Sequence, residues 1–272
     1  MNIKGNIKGK KYYFGWRKAA PDHRDYRFEE KLRGVVLVQP LPPTSDLRNL
    51  ILQVKDQGQL GSCTAHGTTS AFEALQVKRT GSCVLGSRLQ VYEDTRILEG
   101  DYPGDNGGTI RGAVKSTAQY GVAPETMWPY DIKRFDKKIP ADVAAAAVKD
   151  ESTNYYLVDS TDGYNATLTN IKTVLAVTGL PVVFGTNVYE QIESVGPDGM
   201  IEMPGEDEAA IGGHCMLWVG HDDSKQAILT LNSWGTSWGM SGYGWLPYGY
   251  VTNGIASDCW CIAAESELVG SD

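Results

Sequence analysis

Residues Gln57 to Cys63 read Gln-Gly-Gln-Leu-Gly-Ser-Cys and run into Thr-Ala-His-Gly-Thr-Thr-Ser-Ala-Phe-Glu, which places a cysteine at the first turn of a helix, six residues after a glutamine. A helix start is electropositive because its peptide dipoles align, so it stabilises an anion and lowers a thiol pKa. Gly58 and Gly61 let the backbone bend tightly and leave amides free to face a bound group. Far downstream, Gly213-His214-Cys and Leu-Asn232-Ser-Trp-Gly offer a base and a group to orient it. Nucleophile, base and orienter therefore occur in a workable order.

The pairing of His214 with Asn232 follows from a hairpin. Met216-Leu-Trp-Val219 and Ala227-Ile-Leu-Thr-Leu231 read as antiparallel strands joined by the polar cluster His221-Asp-Asp-Ser-Lys225. With the turn centred on Asp223, His214 lies nine residues before the centre and Asn232 nine after, which makes them cross-strand neighbours. Opposed side chains lie about 4.5 to 5.5 Å apart at Cβ, close enough for an imidazole N–H to reach an amide oxygen. A one-residue slip would put them on opposite faces. His66, three residues after Cys63, is the rival base, but it has no visible orienting partner and is assigned to packing. His221 is expected in an exposed turn, and His23 belongs to the N-terminal arm.

Periodicity divides the remainder. Helices are expected from Ser62 to about Arg79, Ser87 to Glu99, Ile110 to Gln119, Ala141 to Lys149 and Thr167 to Val177. Strands are expected at Tyr155 to Val158, Pro181 to Phe184, Cys215 to Val219, Ala227 to Leu231 and Gly244 to Leu246. A mainly helical half (44–150) followed by a mainly β half (151–272) implies an α+β chain of two subdomains with a cleft between them.

Residues 1–43 form an arm closed by Pro40-Leu-Pro-Pro43. Within residues 1–34, ten Lys/Arg stand against four Asp/Glu, whereas the remainder carries 15 against 29. A basic arm thus precedes an acidic body, and the aromatics Tyr12, Tyr13, Phe14 and Trp16 suit docking onto that body. Nucleic acid is excluded as a partner because the acidic body would repel phosphate. No apolar run reaches the roughly 18 residues needed to span a bilayer. The basic start is not followed by the apolar stretch of a secretory signal, so the expected location is cytoplasmic or reached by a non-Sec route. Of the five cysteines, Cys83 and Cys215 read as small buried hydrophobes, and no pair has zinc-ligand spacing with matching histidines. A disulfide among Cys83, Cys215, Cys259 and Cys261 stays open.

Taken together, Gln57-Gly-x-x-Gly-Ser-Cys63, Asn106-Gly-Gly108, Trp128-Pro-Tyr130, Gly213-His214 and Asn232-Ser-Trp-Gly-Thr-Ser-Trp-Gly239 with Gly242-Tyr-Gly244 resemble the papain-like cysteine peptidases over roughly residues 45–250. The arm's Phe14-Gly-Trp and Pro21-Asp-His-Arg-Asp25 resemble the bacterial and viral branch. Two departures agree with that: Thr64 replaces the usual aromatic after the nucleophile, and Leu60 replaces a half-cystine, so the family's usual disulfide there cannot form.

The resemblance implies a papain-like fold, a helical left and a β-barrel-like right subdomain, and a monomer that needs no metal or cofactor and acts on a peptide or protein. It makes Cys63 the thiolate nucleophile, His214 its ion-pair partner and general acid, Asn232 the orienter, and Gln57 an oxyanion donor with the Cys63 N–H. Trp234 would shield the His214–Asn232 bond, Gly107 and Gly108 would form a ledge for an extended substrate, and Thr109, Ile110 and Gly213 would border the main side-chain pocket. The arm would then be an inhibitory prosegment. The rival readings are a transglutaminase- or glutaminase-like thiol acyl-transferase, which commonly has an acidic residue where Asn232 stands, and a non-catalytic peptide-binding homologue.

Overall fold

The computed structural model describes residues 4–7, 9–31, 40–147, 153–264 and 268. The arm opens with a hairpin, β1 (Lys4–Ile7) and β2 (Lys10–Tyr13), and carries a single helical turn, α1 (Phe28–Lys31), before β3 (Thr44–Asp46). Three helices follow: α2 (Cys63–Thr80), α3 (Arg88–Glu99) and α4 (Ile110–Tyr120). Beyond the short α5 (Ala141–Ala145) come β4 (Thr153–Leu157), α6 (Tyr164–Thr173), β5 (Val182–Val188), β6 (Gly212–Asp222), β7 (Ala227–Leu231), β8 (Tyr243–Pro247), α7 (Gly249–Thr252) and β9 (Ala256–Ala264).

The helix ends obey local chemistry. Ser87 and Thr109 cap α3 and α4 through side chains that accept from the amides of Gln90 and Gly112, and Gly81 and Gly100 terminate α2 and α3 in the left-handed conformation. Helix α2 is apolar or buried all round from Cys63 to Leu75, because α3 and α4 pack on one side and β5, β6 and β9 on the other. Gly67 allows the close approach, since a Cβ there would lie 3.2 Å from Cys215 Sγ and 3.3 Å from Val183.

The second half is an antiparallel sheet in the order β4-β9-β5-β6-β7-β8. Strand β6 is long enough to pair along one edge with β5 through Trp218 and then with β3 from Gly220. The expected α+β architecture is therefore present. The expected strand Cys215 to Val219 is the middle of an 11-residue strand whose Gly-Gly-His and Gly-His-Asp ends lack a β signature. Strand β9 was not anticipated, since Ala, Ser, Asp and Cys give it no alternation, yet it is buried throughout. His221 is buried in β6 rather than exposed in a turn, because β3 covers it; Ser45 Oγ lies 2.8 Å from its Nδ1, and its Nε2 donates to the Pro42 carbonyl. Cys83 is half-exposed rather than buried, and all five cysteines are free. The subdomain boundary at 150/151 falls outside the described residues, while α5 ends at Ala145, short of the expected Lys149. Among the described residues no helix is long and apolar enough to cross a membrane.

Candidate active site

Cys63 is the first residue of α2 and is fully buried. The residue before it, Ser62, occupies the N-cap without capping the helix, because its hydroxyl is engaged by Tyr130 Oη at 2.6 Å. The first amides of α2 thus stay uncommitted by a cap beside the thiol, which is where a helix favours negative charge. Burial nevertheless dominates and pushes the Cys63 thiol up to about 11, partly offset by hydrogen bonds from the amides of Cys215, Gly15, Thr64 and Cys63 itself. The Cys215 amide is that of the residue following His214, so β6 delivers the imidazole's own backbone to the sulfur.

His214 Nε2 donates to Asn232 Oδ1 at 2.8 Å, which fixes the ring and leaves Nδ1 without a hydrogen-bond partner. Trp234 stacks on the imidazole with centroids 4.6 Å apart and planes at 20°, and Trp238 meets Trp234 edge-on. Burial, only partly offset by the Asn232 bond, holds the His214 pKa down to about 4. Thiol and imidazole are both neutral near pH 7 in this arrangement, and the charged pair a nucleophilic cysteine requires is not formed.

Gln57 is locked by its neighbours. Its Oε1 accepts from Ser233 Oγ at 2.6 Å, its amide donates to the Ser233 carbonyl, and Asp56 bridges to Trp234. The glutamine loop and the Asn232 loop are therefore stitched together. Gln57 Nε2 donates to the carbonyls of Leu60 at 3.0 Å and Tyr13 at 2.9 Å. The second acceptor belongs to the arm.

The arm runs through the cleft. Gly15 lies over Gly61 and Gly107: a Cβ on Gly15 would overlap the Gly61 backbone, and one on Gly107 would overlap the Gly15 backbone. Gly108 N–H donates to the Gly15 carbonyl at 2.9 Å, Arg17 N–H to the Gly108 carbonyl at 3.0 Å, and Trp16 N–H to the Gly213 carbonyl at 3.2 Å. The Phe14 ring lies 6.1 Å from both His214 and Trp234. Gly107, Gly108 and Gly213 thus line the groove that the arm fills. Thr109 spends its hydroxyl on capping α4 and on Glu99, and Ile110 is wholly buried in the core. His66 is also internal, donating Nδ1–H to the Ser62 carbonyl and meeting Tyr130 edge-on.

Sequence reasoning passed over several residues. Asp105 Oδ1 accepts from the Gly61 amide at 3.0 Å and from Tyr92 Oη at 2.5 Å, while Tyr92 Oη accepts from Gly107 N–H, so these two side chains tie the cysteine loop to the glycine ledge. Asp105 directly precedes Asn106-Gly-Gly, which was a usable signal; Tyr92, in mid-helix, had none.

The family described as papain family cysteine protease matches residues 41–263. The chain is 34% identical over 268 residues to an uncharacterized peptidase C1-like protein of Acanthamoeba polyphaga mimivirus, covering 92% of this chain and 86% of that one. It is similar to the solved structure of xylellain, a cysteine protease from Xylella fastidiosa, with a TM-score of 0.77, 30% identity and coverage of 92% and 96% of the two chains. A digestive procathepsin L 3 of Tenebrio molitor gives a TM-score of 0.64 at 26% identity, covering 84% of this chain and 72% of that one. The chain spans 51% to 64% of the length of the plant, amoebal and animal proteinases it also matches. On this sequence match, with the fold and the arrangement of Cys63, His214 and Asn232 already described, the chain belongs to the papain family of cysteine proteases, hydrolases that act on peptide bonds.

Proposed function

We propose that Cys63, His214, Asn232 and Gln57 are the catalytic residues, and that residues 1–43 act as a prosegment that holds the site latent until it is displaced from residues 44–272. The observation that carries this reading is the Tyr13 carbonyl on Gln57 Nε2, with the Gly15 carbonyl on the Gly108 amide beside it. A peptide carbonyl from the chain itself already takes the donor that would meet a substrate oxyanion. The Tenebrio neighbour, a procathepsin by name, is in keeping with a proform.

In the open enzyme, water reaching the cleft removes the burial that keeps thiol and imidazole neutral, and the Cys63 proton passes to His214. The thiolate attacks the peptide carbonyl, forming a C–S bond and an oxyanion held by Gln57 Nε2 and the Cys63 N–H. Collapse expels the amine, which takes its proton from His214. Water, deprotonated by His214, then attacks the thioester and releases the carboxylate and the thiol. Asn232 keeps the imidazole in one orientation throughout, and Trp234 keeps water from that hydrogen bond. Against the acyl-transferase reading stands the amide of Asn232 where an acid is usual; against a non-catalytic binder stands the complete set of four residues.

The test compares hydrolysis of fluorogenic peptide amides by the full-length chain, the chain lacking residues 1–43, and Cys63→Ala in each background. Activity that rises on truncation and vanishes with Cys63→Ala is expected. Equal activity with and without the arm would overturn the prosegment assignment, and turnover that survives Cys63→Ala would overturn the nucleophile.

A further inference from the structure

Two buried polar atoms behind the active site have no protein partner. Asn232 Oδ1 accepts from His214 Nε2 at 2.8 Å and from the Ser233 amide at 2.7 Å, while Asn232 Nδ2 has no partner among the described residues. His66 Nε2 is left in the same way. The two residues are only 2% and 1% exposed, so bulk solvent reaches neither group. A buried polar atom is rarely left unpaired, because it has given up water for nothing in return.

Both residues line one small cavity between α2 and the strands β6 and β7, with Lys55 and Ser70 in the same wall. It offers about 10 Å³ to the centre of a water molecule, which is room for one. The two unpaired groups are complementary. Asn232 Nδ2 can only donate. His66 Nδ1 lies 3.0 Å from the Ser62 carbonyl, which can only accept, so Nδ1 carries the ring proton and Nε2 offers a lone pair. Burial, with the charges of Arg88 and Lys55 adding to it, pushes the His66 pKa well below the ordinary 6.5 and keeps the ring neutral. A water between them would accept from one residue and donate to the other, and the Lys55 ammonium stands at the same wall.

We propose that this cavity is a binding site for a single ordered water held by Asn232 Nδ2 and His66 Nε2, and that His66 is thereby a positioning residue for the His214 imidazole. The catalytic consequence rests on the peptidase reading; the water site does not. The two ends of an amide are nearly equal in size, so shape alone does not distinguish Oδ1 from Nδ2. Turned round, Asn232 would aim its N–H groups at the His214 Nε2 proton and at the Ser233 amide, donor against donor. An acceptor behind Nδ2, the water backed by the His66 lone pair, opposes that rotation and keeps the oxygen on His214. His66 thus acts through the water on Asn232 and touches no substrate.

The test begins with NMR on the full-length chain carrying isotope-labelled asparagine. The Asn232 side-chain amide protons, identified by their loss in Asn232→Ser, are expected to give cross-peaks to water of opposite sign in NOE and ROE spectra, which marks a bound molecule rather than proton exchange. The cross-peaks should vanish in His66→Leu and persist in His66→Gln, whose amide oxygen can replace the imidazole lone pair. No such cross-peak in the unaltered chain, or one that survives His66→Leu, overturns the proposal. The His214 Nε2 proton reports the positioning. Its exchange with solvent is expected to speed by about tenfold in His66→Leu and to return toward the parent rate in His66→Gln. Equal rates in all three chains overturn the positioning role. Neither readout depends on turnover. In the activated enzyme, kcat for a peptide amide should fall by about tenfold in His66→Leu at little-changed KM and recover in His66→Gln. An unchanged kcat overturns the positioning role and leaves the peptidase intact. A chain that shows the water but cleaves no peptide supports the site and counts against the peptidase reading.

Discussion

Gly15 of the arm faces Gly61, two residues before the cysteine, so closely that a Cβ on Gly15 would overlap the Gly61 carbonyl. Both residues are glycines at the point where the arm's amide meets the Cys63 sulfur. The seal over the thiol depends on their lacking side chains.

Gly15→Ala should therefore lift the arm without touching the enzyme body. In the full-length chain, hydrolysis of a fluorogenic peptide is expected to rise by about tenfold or more, the equivalent of roughly 1.4 kcal/mol lost from the seated arm. A chain as silent as the parent would mean that the arm tolerates a methyl group there and is not held by this approach.

Gln57 gives a graded pair of variants. Gln57→Ala removes the side-chain oxyanion donor and is expected to lower kcat by about 10²- to 10³-fold in arm-free enzyme, with KM much less affected. Ser233→Ala frees Gln57 Oε1 from its 2.6 Å bond and should lower kcat by about tenfold by loosening the same donor. A loss confined to KM would place Gln57 in substrate binding alone.

Acid should open the arm. The sealed site holds one proton, on the Cys63 thiol, and the open ion pair also holds one, on His214, so this pair gives no pH dependence between the ordinary histidine value of 6.5 and the sealed value of about 4. Glu29 carries the trend: burial raises its pKa, but bonds from Ser160, Thr161 and Asn170 outweigh that and leave it lowered, so its contribution to the seal is at full strength above the ordinary value of 4.5 and is lost as pH falls below it. Hydrogen exchange at Arg17, corrected for its intrinsic pH dependence, should show steady protection from pH 6.5 to 4.5 and loss of protection below. Constant protection below pH 4.5 would contradict the assignment.

Lys55 and Glu73 form an ion pair at 2.8 Å with both side chains only 2% exposed, and Glu73 also accepts from the Gly86 amide at 2.8 Å. Burial lowers the Lys55 pKa, and the Glu73 charge opposes the shift. Glu73→Ala leaves a buried ammonium unpaired and is expected to cost about 3 to 5 kcal/mol in chemical denaturation, with the Lys55→Met, Glu73→Leu double variant recovering much of it. A loss below about 1 kcal/mol would mean that water enters and solvates the lysine.

Much of the site was legible in the sequence because it depends on local chemistry. The cysteine at a helix start, Ser87 at the start of α3 and the terminal Gly100 each act within a few residues of themselves, whereas the glycines at positions 107 and 108, which spacing alone reads as a turn, act on Gly15 far away in the chain and were legible only through the family resemblance. The arm was legible as a docking segment from its aromatics and charge, and Arg17 does meet Glu99 and Asp101. Its path was not, because the seat of Trp16 is assembled from Gly108, Gly185, Gly213 and Asp258, which lie on separate elements. Asp258, which accepts from the Trp16 indole, carries no sequence signal for the same reason: its aim comes from a register shift between β5 and β9.

By itself the sequence determined the residue types, their order and the helical and β halves, and it joined His214 to Asn232 through one hairpin. The register of that hairpin belonged to the tertiary structure. Near the turn Asp222 pairs with Ala227, a register that would leave His214 and Asn232 on opposite faces, but a bulge between Trp218 and Gly220 shifts the ladder so that Leu217 meets Leu231. Asn232 then falls level with Met216, two positions from His214, and an even offset keeps both side chains on one face. The contact at 2.8 Å is diagonal rather than directly opposed. Side-chain alternation has a period of two, so one extra residue decides which face a histidine occupies, and that residue is set by how β6 packs between β5, β3 and β7, not by its own sequence.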